Sequence, residues 1–329
     1  MRQLAVAEPE YDDWRNAVHS QMPRTDPILL GEIVKRTAGE RVVRWQRIVG
    51  GEMNEVYAAH LESDGELIVR VSRRIDCRFA GERWALAAAA DAGVPVPTVL
   101  SLSNAEDDHG ALQVCVEARL AGVGMDTLAY AQRQPLIEQA GELLARLHSI
   151  PVAGFGYVHP DGSGPLSSWS ASLRSEQTEA ELVRTESHAA NLGIPASWVR
   201  AASTELHGHD ALLRGVAARL IHGDFNLAHL LTDGETITGI VDFEDAAGAD
   251  PAAEFNWWNY FRPEAPIEWL LTGYRRDADV GDQFDLRLRL ARLRLDLGLA
   301  DHFGKIGHPM GQAVHDRFAE DAAWFAFGR

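Results

Sequence analysis

The first third of the chain alternates apolar and polar positions. Residues 42–49, 54–61 and 67–72 follow a period of two, the pattern of strands with one buried face. Gly50-Gly51 joins the first pair and Asp64-Gly65 the second, which predicts an antiparallel meander. Residues 79–92 are rich in Ala and Leu and stop at Gly93, as a helix would. Pro95 and Pro97 keep 94–97 extended. Two further strands, 98–102 and 111–118, flank an acidic loop at 104–110. Upstream, 11–37 reads as amphipathic helix broken by Pro23 and Pro27, and is expected to cap this first lobe.

After Leu120-Ala121-Gly122 the period becomes helical. Helices are expected at 124–131, 134–149, 168–190, 195–217 and 251–278, and in pieces over 281–327. Only the stretch 220–242 interrupts them. There, apolar runs at Leu230-Leu231 and 237–241 flank a turn at Asp233-Gly234, the mark of a β-hairpin. The expected fold class is α+β in two lobes. Residues 1–120 form an N-terminal lobe with a five-stranded antiparallel sheet, one helix and a helical cap over 1–40. Residues 121–329 form a larger, mainly helical lobe that carries the hairpin.

Composition narrows the function more than the fold. With 46% hydrophobic residues in 329, the chain can bury a sizeable core. Its net charge of −17 argues against a nucleic-acid partner. No apolar run is long enough to span a membrane, and no signal peptide is evident. Cys77 and Cys115 suit neither a disulfide framework nor a zinc site, so a reduced, cytoplasmic setting is expected.

The chemistry-bearing residues gather at the open end of the hairpin. Asp224 follows His222-Gly223 in a loop, His229 precedes the first apolar run, and Asp242 ends the second. Two carboxylates and an imidazole can hold a divalent cation and take a proton. The turn from Gly50 and Gly51 to Asn54 either faces a phosphate with its amides or is a plain hairpin turn. Arg70 takes the face opposite Val69 and Val71; it either pairs with phosphate and with Glu82 on the following helix, or is simply exposed. His148 reads as a packing or helix-capping residue, and Asp250, before Pro251, as a helix N-cap.

The order of these features resembles the aminoglycoside phosphotransferase and choline kinase-like superfamily, relatives of protein kinases. The motifs that carry the resemblance are His222-Gly223-Asp224, Asp242-Phe243-Glu244, the Leu147-His148 helix end and the glycine turn, over residues 41–260. The resemblance implies a protein kinase-like fold with Asp224 as catalytic aspartate and Asp242 as magnesium ligand. It implies Arg70 as the phosphate-pairing cation, where relatives often carry Lys, with Glu82 as its helix partner. Gly50, Gly51 and Asn54 would cover the triphosphate, and the backbone from Ala118 to Leu120 would hydrogen-bond the purine. His229 stands where many members have Asn as the second metal ligand; 2″-acting aminoglycoside kinases and macrolide kinases are similar in having His.

The implied function is Mg²⁺-dependent transfer of the γ-phosphate of ATP or GTP to a hydroxyl of an antibiotic of aminoglycoside, macrolide, peptide or nucleoside type. A metabolic acceptor such as choline, a methylthio-sugar or homoserine is the alternative, with a non-catalytic nucleotide-binding regulator as a third. The acceptor pocket is expected from the insert 160–210 and the C-terminal helices. Glu176, Glu179, Glu181, Glu186, Glu205, Asp210, Asp245 and Glu264 either face a polycationic acceptor or are solvated helix faces. Trp169, Trp198, Trp257, Trp258, Tyr260, Phe261 and Trp269 either face a bulky acceptor or belong to the core.

Overall fold

The computed structural model describes residues 8–48, 53–258, 260–261 and 265–327. Its N-terminal part holds five antiparallel strands: β1 (Val42–Ile48), β2 (Glu55–Leu61), β3 (Glu66–Ser72), β4 (Val99–Asp107) and β5 (Gly110–Ala118). Their order is β1-β2-β3-β5-β4. Helix α1 spans Glu8–Gln21, α2 Pro27–Ala38 and α3 Phe79–Asp91. Asp26 caps α2 by accepting from the Ile28 amide at 2.8 Å, and Pro27 opens the helix. Leu30, Ile33 and Val34 of α2 pack on Val69 and Val71 of β3 and Val114 and Val116 of β5. Because side chains alternate across a strand, Ile68, Arg70 and Glu117 turn to the other face, which borders a cleft.

Two expectations fail in this lobe. The acidic stretch 104–110 is not a loop: β4 runs on to Asp107 and meets β5 at Gly110. Asp107 can sit in a strand because Arg73 grips its carboxylate with both terminal nitrogens, at 2.8 and 2.6 Å. Nor is α1 a cap on the first lobe. Trp14 meets the His308 ring edge-on at a centroid distance of 4.4 Å, so α1 lies against the C-terminal helices.

Helix α3 is pinned from below. Its Gly81 lies so close to the segment after Gly156 that an added Cβ would stand 2.0 Å from the Val158 carbonyl oxygen. Only hydrogen fits there, and this contact sets the height of Glu82, the next residue.

The remaining elements are β6 (Val123–Gly124), α4 (Tyr130–Leu147), β7 (Gly156–Tyr157), α5 (Trp169–Leu173), α6 (Glu179–Ala189), α7 (Ala196–Gly208), α8 (Asp210–Leu213), β8 (Arg219–Ile221), β9 (Leu230–Thr232), β10 (Ile237–Ile240), β11 (Ala247–Ala249), α9 (Ile267–Tyr274), α10 (Phe284–Ile306) and α11 (Gly311–Trp324). The β9–β10 hairpin turns as expected, and β6 adds a third strand to it. β8 instead pairs with β11, which pairs with β7, so two small sheets stand where one hairpin is predicted. The helix expected at 124–131 is a short strand and one 3₁₀ turn, Met125–Thr127. The helix expected at 168–190 is split, with Glu176 between its halves at φ 59°, a left-handed value no helix accommodates. The helix expected at 251–278 is a 3₁₀ turn, Pro251–Asn256, followed by α9. Among the described residues no helix is long and apolar enough to cross a membrane.

Candidate active site

The loop before the hairpin is built on a buried carboxylate. Glu254, 1% exposed, accepts from the backbone amides of His222 and Gly223. Gly223 adopts φ 85°, and a Cβ there would stand 2.1 Å from the Asp245 carbonyl oxygen. Glycine is therefore required for the chain to pass so close under the 243–245 turn. His222 then ties the two edges of the site together. Its Nδ1 accepts from the Asp224 amide at 3.2 Å, and its Nε2 donates to the Val241 carbonyl at 2.9 Å. An amide can only donate and a carbonyl can only accept, so these partners select the neutral Nε2–H tautomer. Burial also lowers the His222 pKa, in the same sense.

Asp224 emerges from this loop. Asn226 donates to both its carbonyl and its carboxylate oxygen Oδ1, each at 3.1 Å, and caps the next turn through the Ala228 amide. His229 Nδ1 lies 2.9 Å from the Asp224 carbonyl, and its Nε2 lies 3.6 Å from Asp242 Oδ2. His229 thus stands between the two aspartates. Burial pushes the Asp224 carboxyl up to about 6, against the pull of His229. Burial opposes protonation of His229, but Asp224 and Asp242 outweigh it and raise its pKa. Enclosure likewise opposes ionisation of Asp242; Arg70, His229 and His222 reverse this and hold its pKa below the ordinary value.

The opposite wall comes from the sheet. Arg70, 7% exposed, meets four carboxylates: Nη1 lies 2.5 Å from Glu82 and 3.3 Å from Glu117, and Nη2 lies 3.0 Å from Asp242 and 3.3 Å from Glu244. The exposed alternative for Arg70 is excluded. Burial raises Glu82 to about 8, with Arg70 opposing that rise. Asn54 donates to Glu244 Oε2 at 2.5 Å, and Arg74 reaches Glu244 Oε1 at 3.2 Å. Arg78 pairs with Asp245. The acids after Asp242 are therefore neutralised by arginines around α3.

Arg70, Asp224, His229 and Asp242 line one cleft of about 800 Å³. Above them Ile48, Val56, Ile68, Pro97, Ala118, Leu120 and Leu231 form an apolar slot in the same cleft. Asn54 also lines it, and Glu82 stands behind Arg70. Gly50 and Gly51 lie outside the described residues.

Residues 44–289 match the model of the phosphotransferase enzyme family. The chain belongs to this family. It is 23% identical over 287 residues to hygromycin-B 4-O-kinase of Escherichia coli, covering 83% of this chain and 76% of that one. Among solved structures, a thermostable mutant of aminoglycoside phosphotransferase APH(4)-Ia in complex with AMP-PNP and hygromycin B has a TM-score of 0.71 at 19% identity, covering 91% of this chain and 99% of that one. Amicoumacin kinase with AMP-PNP and Ca²⁺ has a TM-score of 0.58 at 16% identity, covering 87% and 92%. These likenesses carry the kinase-like two-lobe fold, and membership of the family makes the chain a phosphotransferase.

Several expectations about this phosphotransferase's acceptor side are corrected. No residue of 160–210 lines the cleft among the described residues. Glu179 and Glu186 hold Arg200, Asp210 holds Arg174, Glu176 holds Arg294, Glu205 meets His209, and Glu181 closes a capping box with Thr178. Only Asp245 of the proposed acids faces the cleft; Glu264 lies outside the described residues. Trp169 is core, Trp198 packs on Phe318, and Trp269 on Tyr130. Trp257, Trp258, Tyr260 and Phe261 do line the cleft. His148 is buried and hydrogen-bonds Tyr274 at 3.1 Å, and Asp250 caps the 251–256 turn, as expected for both.

Sequence reasoning missed Asn226 and Glu254, and the part α1 plays in the cleft. Asn226 had a signal, two residues beyond a candidate catalytic acid; Glu254 had none.

Proposed function

We propose that this phosphotransferase moves the γ-phosphoryl group of ATP or GTP to a hydroxyl of a small molecule, and that the acceptor is an antibiotic. The observation that carries the reading is the pair Asp224 and Asp242 on either side of His229, facing Arg70 across one cleft. The apolar slot at Ala118 and Leu120 suits a purine, leaving the phosphates toward Arg70. Asp224, partly exposed and fixed by Asn226, would orient the acceptor hydroxyl in line and take its proton late. A pKa near 6 makes it a stronger base than an ordinary carboxylate.

A divalent cation, Mg²⁺ in our reading, would be held by Asp242 and His229. Asp242 is 43% exposed at its side chain and faces His229 Nε2 at 3.6 Å, so both donors address one point. No group of three or more metal-binding side chains occurs among the described residues. Phosphate oxygens and water would complete the shell, as is usual for Mg²⁺. His229 would ligate through Nε2 as neutral imidazole, with Nδ1–H donating to the Asp224 carbonyl. The cation would offset the charge that develops on the transferred group.

The antibiotic reading is supported by the hygromycin-B kinase relative and the antibiotic-bound neighbours. It is tested by incubating the enzyme with ATP or GTP and pooled antibiotics or pooled metabolites, and weighing the products. An antibiotic heavier by one phosphoryl group is expected; modification of metabolites alone would reassign the acceptor. Asp224→Asn should remove nearly all turnover, and a variant with normal turnover would sink the assignment of the base.

A further inference from the structure

Beyond Asp224 the same cleft continues into a second half whose walls differ in kind. Tyr11 of α1, Trp257, Phe261, Leu299 and Phe303 of α10, and Met310 line it. The rings form a connected surface. Phe303 stacks on His308 with centroids 3.8 Å apart and planes at 18°, and Phe261 stacks on Phe303 at 5.9 Å and 19°. Trp14 closes on His308 edge-first at 4.4 Å, and Tyr11 lies 6.0 Å from the same ring.

The charges nearby do not suit a polycation. Glu244 and Asp245 face the cleft but are held by Arg70, Arg74 and Arg78. The acids of the helical insert are turned outward onto Arg174, Arg200 and Arg294. An ammonium group entering this half would lose its hydration, and Glu244 and Asp245, the acids that follow Asp242, are already held by arginines. Flat apolar surface, by contrast, would find the half-buried side chains of Tyr11, Trp257 and Phe261 to cover.

We infer that the acceptor is a hydroxyl-bearing molecule with a flat, apolar face and little positive charge, seated on this aromatic wall, with α1 as part of its site. The inference rests on the phosphotransfer reading only for the hydroxyl; the wall itself is a matter of binding. It makes α1 a specificity element rather than a brace on the sheet.

The test separates binding from chemistry. Calorimetry with the AMP-PNP-loaded enzyme would compare umbelliferyl glucoside and a flavonoid glucoside, both flat and uncharged, with polycationic hygromycin B. The flat probes should bind at least tenfold more tightly than hygromycin B. Tyr11→Ala and Trp257→Leu should each weaken them by tenfold or more, with AMP-PNP affinity and thermal midpoint recorded to show that each variant is folded. Tighter binding of hygromycin B, no binding of either flat probe, or wild-type affinity in both variants would overturn the inference. Mass spectrometry after ATP addition reads the chemistry apart from this. Flat probes that bind as expected but gain no phosphate leave the wall standing and count against the proposed function. Phosphorylation of hygromycin B alone leaves the function standing and overturns the inference.

Discussion

Arg70 Nη2 lies 3.0 Å from Asp242 Oδ1, across 172 residues of chain. The same guanidinium holds Glu82 through Nη1 at 2.5 Å. One cation therefore joins strand β3, helix α3 and the end of the β9–β10 hairpin. Its planar fork makes this possible, because two nitrogens point to two different lobes.

Removing that cation should damage stability before it damages chemistry. Arg70→Ala would leave Glu82 and Glu117 buried without their partner, a change that typically costs ~3–5 kcal/mol. A clear fall in the thermal midpoint is expected, and Arg70→Lys should recover only part of it, since an ammonium cannot span both Glu82 and Asp242. Differential scanning calorimetry of the two variants checks this; equal stability of Arg70→Ala and wild type would refute it.

Asn226 holds Asp224 in place by donating to its carbonyl and to its carboxylate. Asn226→Ala would free the carboxylate from the bond at 3.1 Å and uncap the turn that carries His229. The expected result is a kcat reduced by ~10-fold or more, as misplacement of a catalytic group produces, with little change in nucleotide affinity. Steady-state kinetics with a separate nucleotide titration decides between this and a loss of binding.

Gly81 should tolerate no side chain. A Cβ 2.0 Å from the Val158 oxygen forces α3 to move, and backbone displacement of this kind costs ~1–3 kcal/mol. Because Glu82 is the next residue, Gly81→Ala should also loosen the Arg70–Glu82 pair. A lowered melting temperature together with weaker nucleotide binding is expected; Ala80→Gly, on the same helix, provides the comparison.

Asp296 supplies a pH prediction away from the reacting groups. It is fully buried, accepts from the Tyr260 hydroxyl, and stands near Asp321, Arg292 and Arg317. Burial, reinforced by Asp321, raises its pKa well above 3.8. The folded protein thus holds a proton that the unfolded chain releases above pH ~4, so this group makes the protein less stable as pH rises from there toward its folded pKa. Asp296→Asn keeps an acceptor for Tyr260 and removes the slope. The variant should gain melting temperature over wild type at neutral pH and lose that gain near pH ~4. A difference independent of pH would contradict the assignment.

Local chemistry was readable before the fold was known. Alternation put Arg70 on the face away from Val69 and Val71, and the hairpin rule brought His229 and Asp242 together, while Asp224 joins them through His222. Glu176, Glu179, Glu186 and Asp210 were legible only as acids. Their partners Arg200, Arg174 and Arg294 lie between 14 and 118 residues away, so nothing in the local pattern could show that they were spoken for. Glu254 stayed hidden for the same reason: it looks like any turn carboxylate until two amides from the 222–223 loop close on it.

Residue order alone was enough for the lobes, the family and the groups that line up along the hairpin, because those depend on periodicity and on contacts within a few residues. Which carboxylates remain free, where α1 rests and what the far half of the cleft is made of depended on tertiary packing. Each of these is a pairing between distant segments, and a pairing decides whether a charge or a ring faces the cleft or is already engaged elsewhere.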